Sequence, residues 1–395
     1  MPTPTIAIVG AGLSGLVCAR ILQRGGVQVA VYELDASDEA RQQGGSLDIH
    51  TKTGQVALRE AGLYEEFLTR THPQGESVRV LDKDAKVHID EPEPDGGNGR
   101  PEIDRRALRT MFVASLEPGT IRWGRKVVAA RSAAAGHELE FADGATVRAD
   151  LVIGADGAWS RVRSLVTAAK PQYVGITLVE FRLADAPTKH PDALAVTGPG
   201  SLFALSDNRY IGGHGGDQIA LGAGFRVPEN WVTESGIDWN DPDAARAGLL
   251  AQFPDWSPTL TNLIRDCDDT IRPRPIYALP TGTRWARVPG VTLIGDAAHL
   301  ISPFAGEGAN LAMIDGADLA RAILDEPDLD AALVRYERTM FPRGRKMAAA
   351  SQQSLDAMFI DGPPRKIVGF FRTMNAFAGA ARPFMKLFGG RSAAS

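Results

Sequence analysis

Cysteine is nearly absent. Cys18 and Cys267 are the only two in 395 residues, and neither has a second cysteine nearby in the chain. That argues against a disulfide framework and a thiolate metal centre, and fits a reducing, cytoplasmic compartment. A surplus of positive charge is missing too. The 43 Lys and Arg stand against 48 Asp and Glu, a formal net charge of -5, so there is no footprint of nucleic-acid binding. No uninterrupted apolar run reaches the roughly 20 residues that span a bilayer. The first residues lack a basic flank and glycines break their apolar run, which reads as a folded strand rather than a signal peptide. Internal repeats are not evident, and no Ser/His/Asp set or carboxylate pair stands out. At 44% hydrophobic and 23% charged, the chain reads as soluble and globular, long enough for two domains.

Three glycine-bearing stretches carry the information. The first is Gly10-Ala11-Gly12-Leu13-Ser14-Gly15, after the β-rich run Thr5-Ile6-Ala7-Ile8-Val9. A helical pattern follows to Gly25-Gly26, then a second strand over 27–32 that ends at Glu33. A lone GxGxxG is weak, but here the strand, helix, strand and acid are all in place. Gly10 permits the tight turn, Gly12 the approach of a pyrophosphate, and Gly15 close helix–strand packing. Leu13 and Ser14 open the helix whose N-terminus would meet the phosphates, and Glu33 would take the ribose hydroxyls.

The second stretch is Leu151-Val152-Ile153-Gly154-Ala155-Asp156-Gly157, followed by Ala158-Trp159-Ser160-Arg161-Val162-Arg163. Asp156 and Gly157 are candidate cofactor contacts. Ser160 reads equally as an N-cap, and Arg161 and Arg163 as surface charges. The third is Gly295-Asp296-Ala297-Ala298-His299, after a buried strand over 291–294 and before a helix that starts at Gly308. Asp296 is placed to accept from a ribityl hydroxyl. The helix N-terminus at Gly306, Gly308, Ala309 and Asn310 suits a phosphate or an anionic ring.

Between these stretches the pattern changes. Gly44-Gly45-Ser46-Leu47-Asp48 suggests a loop that something approaches closely, and Asp104 is a plausible N-cap for a helix carrying Arg105 and Arg109 on one face. Arg106 reads as a solvated charge. Short strands are expected at 78–81, 86–89, 127–132 and 138–142, then at 175–183, 201–205, 210–213 and 218–225, with little helix signal in the last region. Helices are expected at 241–253 and 257–266, a strand at 270–278, and mostly helix from Asp328. The basic, apolar end (Ile367, Phe370, Phe371, Met374, Phe377, Phe384, Met385, Phe388) reads as a docking face rather than a membrane anchor.

GxGxxG, then Asp-Gly, then Gly-Asp in this order resemble the class A flavin monooxygenases of the para-hydroxybenzoate hydroxylase fold, over about residues 5 to 345. Glu33, Arg41, Gly44 through His50, Pro101-Glu102-Ile103-Asp104-Arg105 and Gly295 through Gly306 look closest to the tetracycline-degrading group. The resemblance implies an α/β fold: a Rossmann-like FAD-binding domain, an inserted, mostly antiparallel β-sheet substrate domain, and a C-terminal helix bracing both. The FAD domain would comprise 1–72, 100–172 and 285–327, the substrate domain 73–99 and 173–284, and the helical segment 328–395. FAD contacts are implied at Glu33, Arg41, Arg105 and Asp296, with Gly45, Ser46 and Asp48 as further candidates. NADPH or NADH would reduce the flavin, O2 would add to give a C4a-hydroperoxide, and its distal oxygen would pass to an electron-rich carbon. The small-molecule substrate would be aromatic, phenolic or enolic, and the protein a monomer.

The group's substrate contacts are only partly kept. Asn208-Arg209 matches one, Gly222 stands where the group has a histidine, and Arg182 where it has a glutamine. Candidate substrate contacts are Arg182, Arg209, His214, Phe225, Phe304, Ala305 and Gly306. Pro303 would lie against the flavin ring. His50 and Arg209 are the other candidates for a catalytic part, and His50 and His214 read equally as structural histidines. Other readings on the same fold are a Baeyer–Villiger oxygenase, an epoxidase, a dehydrogenase or a non-catalytic, drug-sequestering FAD protein. No metal ligand set is expected.

Overall fold

The computed structural model describes residues 4–40, 45–71, 77–92 and 99–369. The chain divides into two units, one of residues 1–74, 95–174 and 276–354, the other of 75–94, 175–275 and 355–395.

The first unit is built on a parallel sheet. Its strands are β1 (Ile6–Val9), β2 (Ala30–Tyr32), β4 (Ile121–Arg122), β5 (Leu151–Gly154) and β6 (Val291–Leu293), in the spatial order β6-β5-β1-β2-β4. All pairings are parallel, with Ile8 opposite Ile153 and Val31. Every residue of β1, β5 and β6 is buried. Such unbroken apolar strands suit a parallel sheet covered on both faces. Helix α1 (Leu13–Arg24) joins β1 to β2 and buries Leu16, Val17, Cys18, Ala19, Ile21 and Leu22. Burial pushes the Cys18 thiol well above its ordinary range, so it behaves as a small hydrophobe.

A short strand β3 (Ser46–Asp48) pairs antiparallel with Glu102–Asp104, which leads into α2 (Arg105–Ser115). The Asp104 side chain accepts from the Ala107 N–H at 2.9 Å, making it the N-cap. After β6 come α3 (Gly308–Asp325) and α4 (Leu329–Met358), whose residues pass from the first unit into the second after Ser354.

The second unit carries most of a seven-stranded sheet. Its order is Arg272–Ala278, Gln172–Leu183, Ile219–Arg226, Arg209–His214, Ser201–Ser206, Val78–Leu81, Val87–Glu91. Ser201–Ser206 and Val78–Leu81 run parallel; the described ladders on either side of them are antiparallel. Two helices, Pro242–Leu250 and Pro258–Arg265, begin at the N-caps Asp241 and Ser257, each followed by proline at the first helical position.

Two local readings of the sequence give way. Val27–Val29 is not strand, since β2 begins only at Ala30. Ala186–Lys189 and Pro191–Thr197 are short helices in a stretch read as strands and turns. Asp185 turns the chain there at φ 54°, and Pro191 opens the second helix. Ile367 packs on Val80, Ile89 and Val368; the remaining apolar residues of that tail lie outside the described residues. Among the described residues, no helix is long and apolar enough to cross a membrane.

Candidate cofactor site

The loop between β1 and α1 is shaped by its glycines. Gly10 has φ +106°, and a Cβ there would come within 2.3 Å of the Ala155 carbonyl oxygen. A Cβ on Gly15 would meet the Gly10 carbonyl at 2.2 Å, whereas one on Gly12 would meet nothing within 4 Å. Two glycines therefore let backbone pack on backbone, and the third leaves open space in front of α1. No side chain caps the N-terminus of α1, so its first N–H groups remain available to an anion. Glu33, at the end of β2, is buried and accepts from the Ala11 N–H at 2.6 Å and the Asp35 N–H at 3.0 Å. Arg109 holds the same loop from α2. Its Nε donates to the Ala11 carbonyl at 3.2 Å, and it pairs with Asp38.

The Asp156-Gly157 and Gly295-Asp296 stretches meet through Arg163. This side chain is 3% exposed. It donates to the carbonyls of Ala297 (2.7 Å), Ala158 (2.8 Å), Asp296 (3.0 Å) and Gly157 (3.3 Å). It is not a surface charge, and nothing in the local spacing marks it. The Asp156 carboxylate accepts from the Ser160 hydroxyl at 2.5 Å and the Arg161 N–H at 2.7 Å. It caps its own loop, and burial raises its pKa despite these bonds. Gly295, with φ +61°, sits against α1: a Cβ there would be 2.8 Å from the Ser14 hydroxyl. Its N–H donates to Asp315 on α3 at 3.0 Å. Asp315 is fully buried and also binds His299 and Arg343. Asp296 lies exposed at the strand end.

The second helix end is that of α3. Pro303–Ala305 forms one 3-10 turn, closed by Gly306 at φ +67°, and Glu307 takes the N-cap position without capping by its side chain. A Cβ on Gly306 or Gly308 would meet nothing within 4 Å; Phe304, Ala305, Gly308 and Ala309 are half-buried, and Pro303 is exposed. Asn310 is 1% exposed and faces β3 instead. It accepts from the His50 N–H and donates to the Asp48 carbonyl, both at 2.8 Å. His50 Nε2 lies 2.7 Å from Asp48, and Nδ1 3.2 Å from Glu307. Burial pushes its pKa down, but the two carboxylates outweigh this and raise it to about 9 from an ordinary 6.5. A raised value means that the stability His50 adds is complete below pH 6.5 and is lost as pH rises toward 9. The stability difference between wild type and His50→Gln is therefore expected to shrink over that window in urea denaturation; a difference independent of pH would contradict the clamp.

Gly45 has φ +95°, with its carbonyl accepting from the Arg105 N–H at 3.0 Å, and Ser46 donates to Glu102 at 2.9 Å. Arg41 and Gly44 lie outside the described residues. Arg106 is exposed.

The candidate substrate residues of the second unit are scattered in role. Arg182 pairs with Asp268 at 3.1 Å. Phe225 is buried, packed edge-on against Trp231 and Phe253. It is a core residue, as an aromatic at an inward strand position usually is. His214 lies 3.5 Å from the Ser201 hydroxyl. Arg209 is half-buried and, among the described residues, has no ion-pair partner within 4 Å. A Cβ on Gly222 would meet only the Val179 carbonyl, at 3.9 Å.

The first unit's residues fit a flavin dinucleotide. Two helix N-termini without side-chain caps, open space over Gly12, Gly306 and Gly308, and acids at the ends of β2 and β6 match its pyrophosphate, ring and sugar hydroxyls. Among the described residues, no group of three or more His, Cys, Asp or Glu is placed to hold a metal ion.

Comparison with known proteins agrees with this geometry. The family model described as "FAD binding domain" matches residues 3–200 and 281–351. The 3-amino-4-hydroxybenzoate 2-monooxygenase PtmB3 of Streptomyces platensis is 30% identical over 390 residues, covering 92% of this chain and 91% of that protein. Among solved structures, Klebsiella pneumoniae HpxO with FAD and uric acid superposes with a TM-score of 0.75 at 22% identity, covering 90% of this chain and 89% of that one. Tetracycline destructase Tet(55) gives 0.71 at 20% identity, covering 92% of each chain. The matched segments contain β1, the Gly10–Gly15 loop, Asp156 and the Gly295–Gly308 turn alike, so the chain belongs to the FAD binding domain family and is an FAD-dependent monooxygenase of the class A type.

Proposed function

We propose that this enzyme consumes NADH or NADPH and inserts one oxygen atom of O2 into an aromatic, phenolic or enolic polycyclic substrate, such as a tetracycline-like antibiotic or a polyketide. It would act as a cytoplasmic monomer. The first unit would be the flavin domain and the second the substrate domain. One observation carries the reading: the groups gathered at the ends of β1, β2, β6 and the start of α3 bind and position, and none is a free general base. Of the two histidines among them, His50 already faces a carboxylate at each ring nitrogen, and His299 is buried against Asp315.

Bound FAD supplies the redox chemistry and the activation of O2. The N–H groups of α1 would hold the pyrophosphate, and Glu33 and Asp296 would accept from sugar and ribityl hydroxyls. The N–H groups at Gly308 and Ala309 would offset negative charge on the reduced ring. Pro303 keeps the approach to that helix stiff. For an acidic or enolic substrate Arg209 is the better cation, since Arg182 is already committed to Asp268. The hydroxybenzoate named for the Streptomyces relative is itself a phenolic ring, which supports the substrate class.

The test is NADPH and NADH oxidation by FAD-loaded protein with a panel of tetracyclines and hydroxybenzoates, with product masses read alongside. A product heavier by one oxygen, formed together with stimulated oxidation, is expected. Products that have only lost hydrogen would mark a dehydrogenase. Binding without turnover across the whole panel would favour a drug-sequestering protein.

A further inference from the structure

The polar cluster joining α3 to β3 does more than fasten two elements. We propose that His50 is a positioning residue which offsets part of the charge of Glu307 and Asp48 at the N-terminus of α3, and so sets how strongly that helix end stabilises the reduced, anionic flavin. This rests on the reading above that FAD lies at the α3 N-terminus.

Geometry fixes the charge state. Asp48 lies 2.7 Å from one ring nitrogen and Glu307 3.2 Å from the other. A neutral imidazole has a single N–H and could donate to only one carboxylate; the imidazolium donates to both. The backbone that carries the ring is held in place. Asn310 grips the His50 N–H and the Asp48 carbonyl, and Gly54 packs so closely that a Cβ there would be 2.5 Å from Asn310 Oδ1.

Position gives the charge its consequence. Glu307 is the N-cap residue of an 18-residue helix. The helix end presents roughly half a positive charge to a bound anion. An ionised glutamate at that point works against it, and the imidazolium cancels the opposition. The three side chains together carry a charge of -1. His50→Gln makes this -2, Glu307→Gln makes it 0, and the double variant returns it to -1.

The experiment is the two-electron reduction potential of FAD in the holoenzyme, by dye equilibration, for wild type, H50Q, E307Q and H50Q/E307Q. H50Q is expected to weaken binding of reduced relative to oxidised flavin about tenfold, a downward shift of ~30 mV for a two-electron couple. E307Q is expected to shift the potential upward by a similar amount, and the double variant to fall close to wild type. A merely structural clamp would not give opposite signs that cancel. Shifts of the same sign in both single variants, or none in variants that retain their flavin, would overturn the proposal. Should H50Q lose its flavin, the sign for E307Q alone decides. Wild-type protein without flavin absorbance would instead overturn the cofactor reading.

Discussion

Asp315→Leu is expected to lower the free energy of unfolding by about 3–5 kcal/mol, the usual cost of removing one partner from a buried ion pair. Asp315 is 0% exposed. It binds two cations, His299 from the turn after β6 and Arg343 from α4, the latter at 2.9 Å. It also takes the Gly295 N–H at 3.0 Å. Leucine fills the space but leaves the His299 imidazole facing hydrocarbon and Arg343 with Asp318 as its remaining carboxylate, at 2.6 Å. Asp315→Asn keeps an acceptor for Gly295 and should lose less.

The pH dependence has a definite sign. Burial alone would raise the Asp315 pKa, but His299 and Arg343 bring it below its ordinary 3.8. Burial alone would lower that of His299, but Asp315 raises it above 6.5. The aspartate's contribution is present above pH 3.8 and lost as pH falls through its folded value; the histidine's is complete below pH 6.5 and lost as pH rises through its folded value. Wild type should therefore lose its advantage over Asp315→Leu at both extremes. Urea denaturation at several pH values with an unchanged m-value checks this. Equal stability of the leucine variant and wild type at pH 5 would refute the network's importance.

Asp315 also shows where the sequence stops being legible. The loop at Gly10, Gly12 and Gly15 can be read from spacing because its constraints are local: a turn, an approach, a packing contact within one βαβ unit. The alternation of strand and turn between Gln172 and Arg226 is equally local, and the ladder there follows it outside the two short helices at Ala186–Lys189 and Pro191–Thr197. Arg109, Arg163 and Asp315 are different. Each is a charged residue buried by partners from remote segments, as in the bond from Arg163 to Ala297, 134 residues on. No period or motif marks that. The only hint for Arg109 was its place four residues after Arg105, on a helix whose other buried positions, Leu108, Met111 and Phe112, are apolar.

The same distinction separates the two kinds of site residue. Gly12, Gly306 and Gly308 face open space and Asp296 is exposed at its strand end, and residues of this kind are readable from the sequence. Phe225 is a candidate substrate contact by sequence, yet an aromatic on a strand is more often core, and the contacts with Trp231 and Phe253 make it so. Asn310 belongs by sequence to the same helix N-terminus as Gly308 and Ala309. One residue further round the helix turns its side chain about 100° away, onto β3. His50 stood as a candidate catalytic group, and only its flanking carboxylates, one of them Glu307, 257 positions on in the numbering, show it as a clamped cation.

Arg163→Met should reduce FAD affinity at least tenfold and lower the free energy of unfolding by roughly 3 kcal/mol, the scale expected when buried acceptors lose their donor. Methionine keeps the apolar stem of the arginine and removes all its donors, so packing is largely preserved. What changes is the tie between two loops. The carbonyls of Gly157 and Ala158 on one side, and of Asp296 and Ala297 on the other, accept from one guanidinium. Burial lowers its pKa, opposed by the charges of Asp156 and Asp296, yet an arginine stays protonated at any working pH. Without it the Asp296 backbone loses this tie, and its carboxylate is expected to sample positions away from the ribityl hydroxyl proposed as its partner. Arg163→Lys restores the charge but not the planar fork, and should recover only part of the affinity. Arg161, exposed and two residues earlier, is the control: Arg161→Gln should leave both quantities within about 0.5 kcal/mol of wild type. Flavin titration followed by fluorescence gives the affinity, and denaturation of the flavin-free protein gives the stability separately. Full affinity in Arg163→Met would show that the Gly295-Asp296 turn holds its shape without the tie, and that Asp315 and α4 suffice.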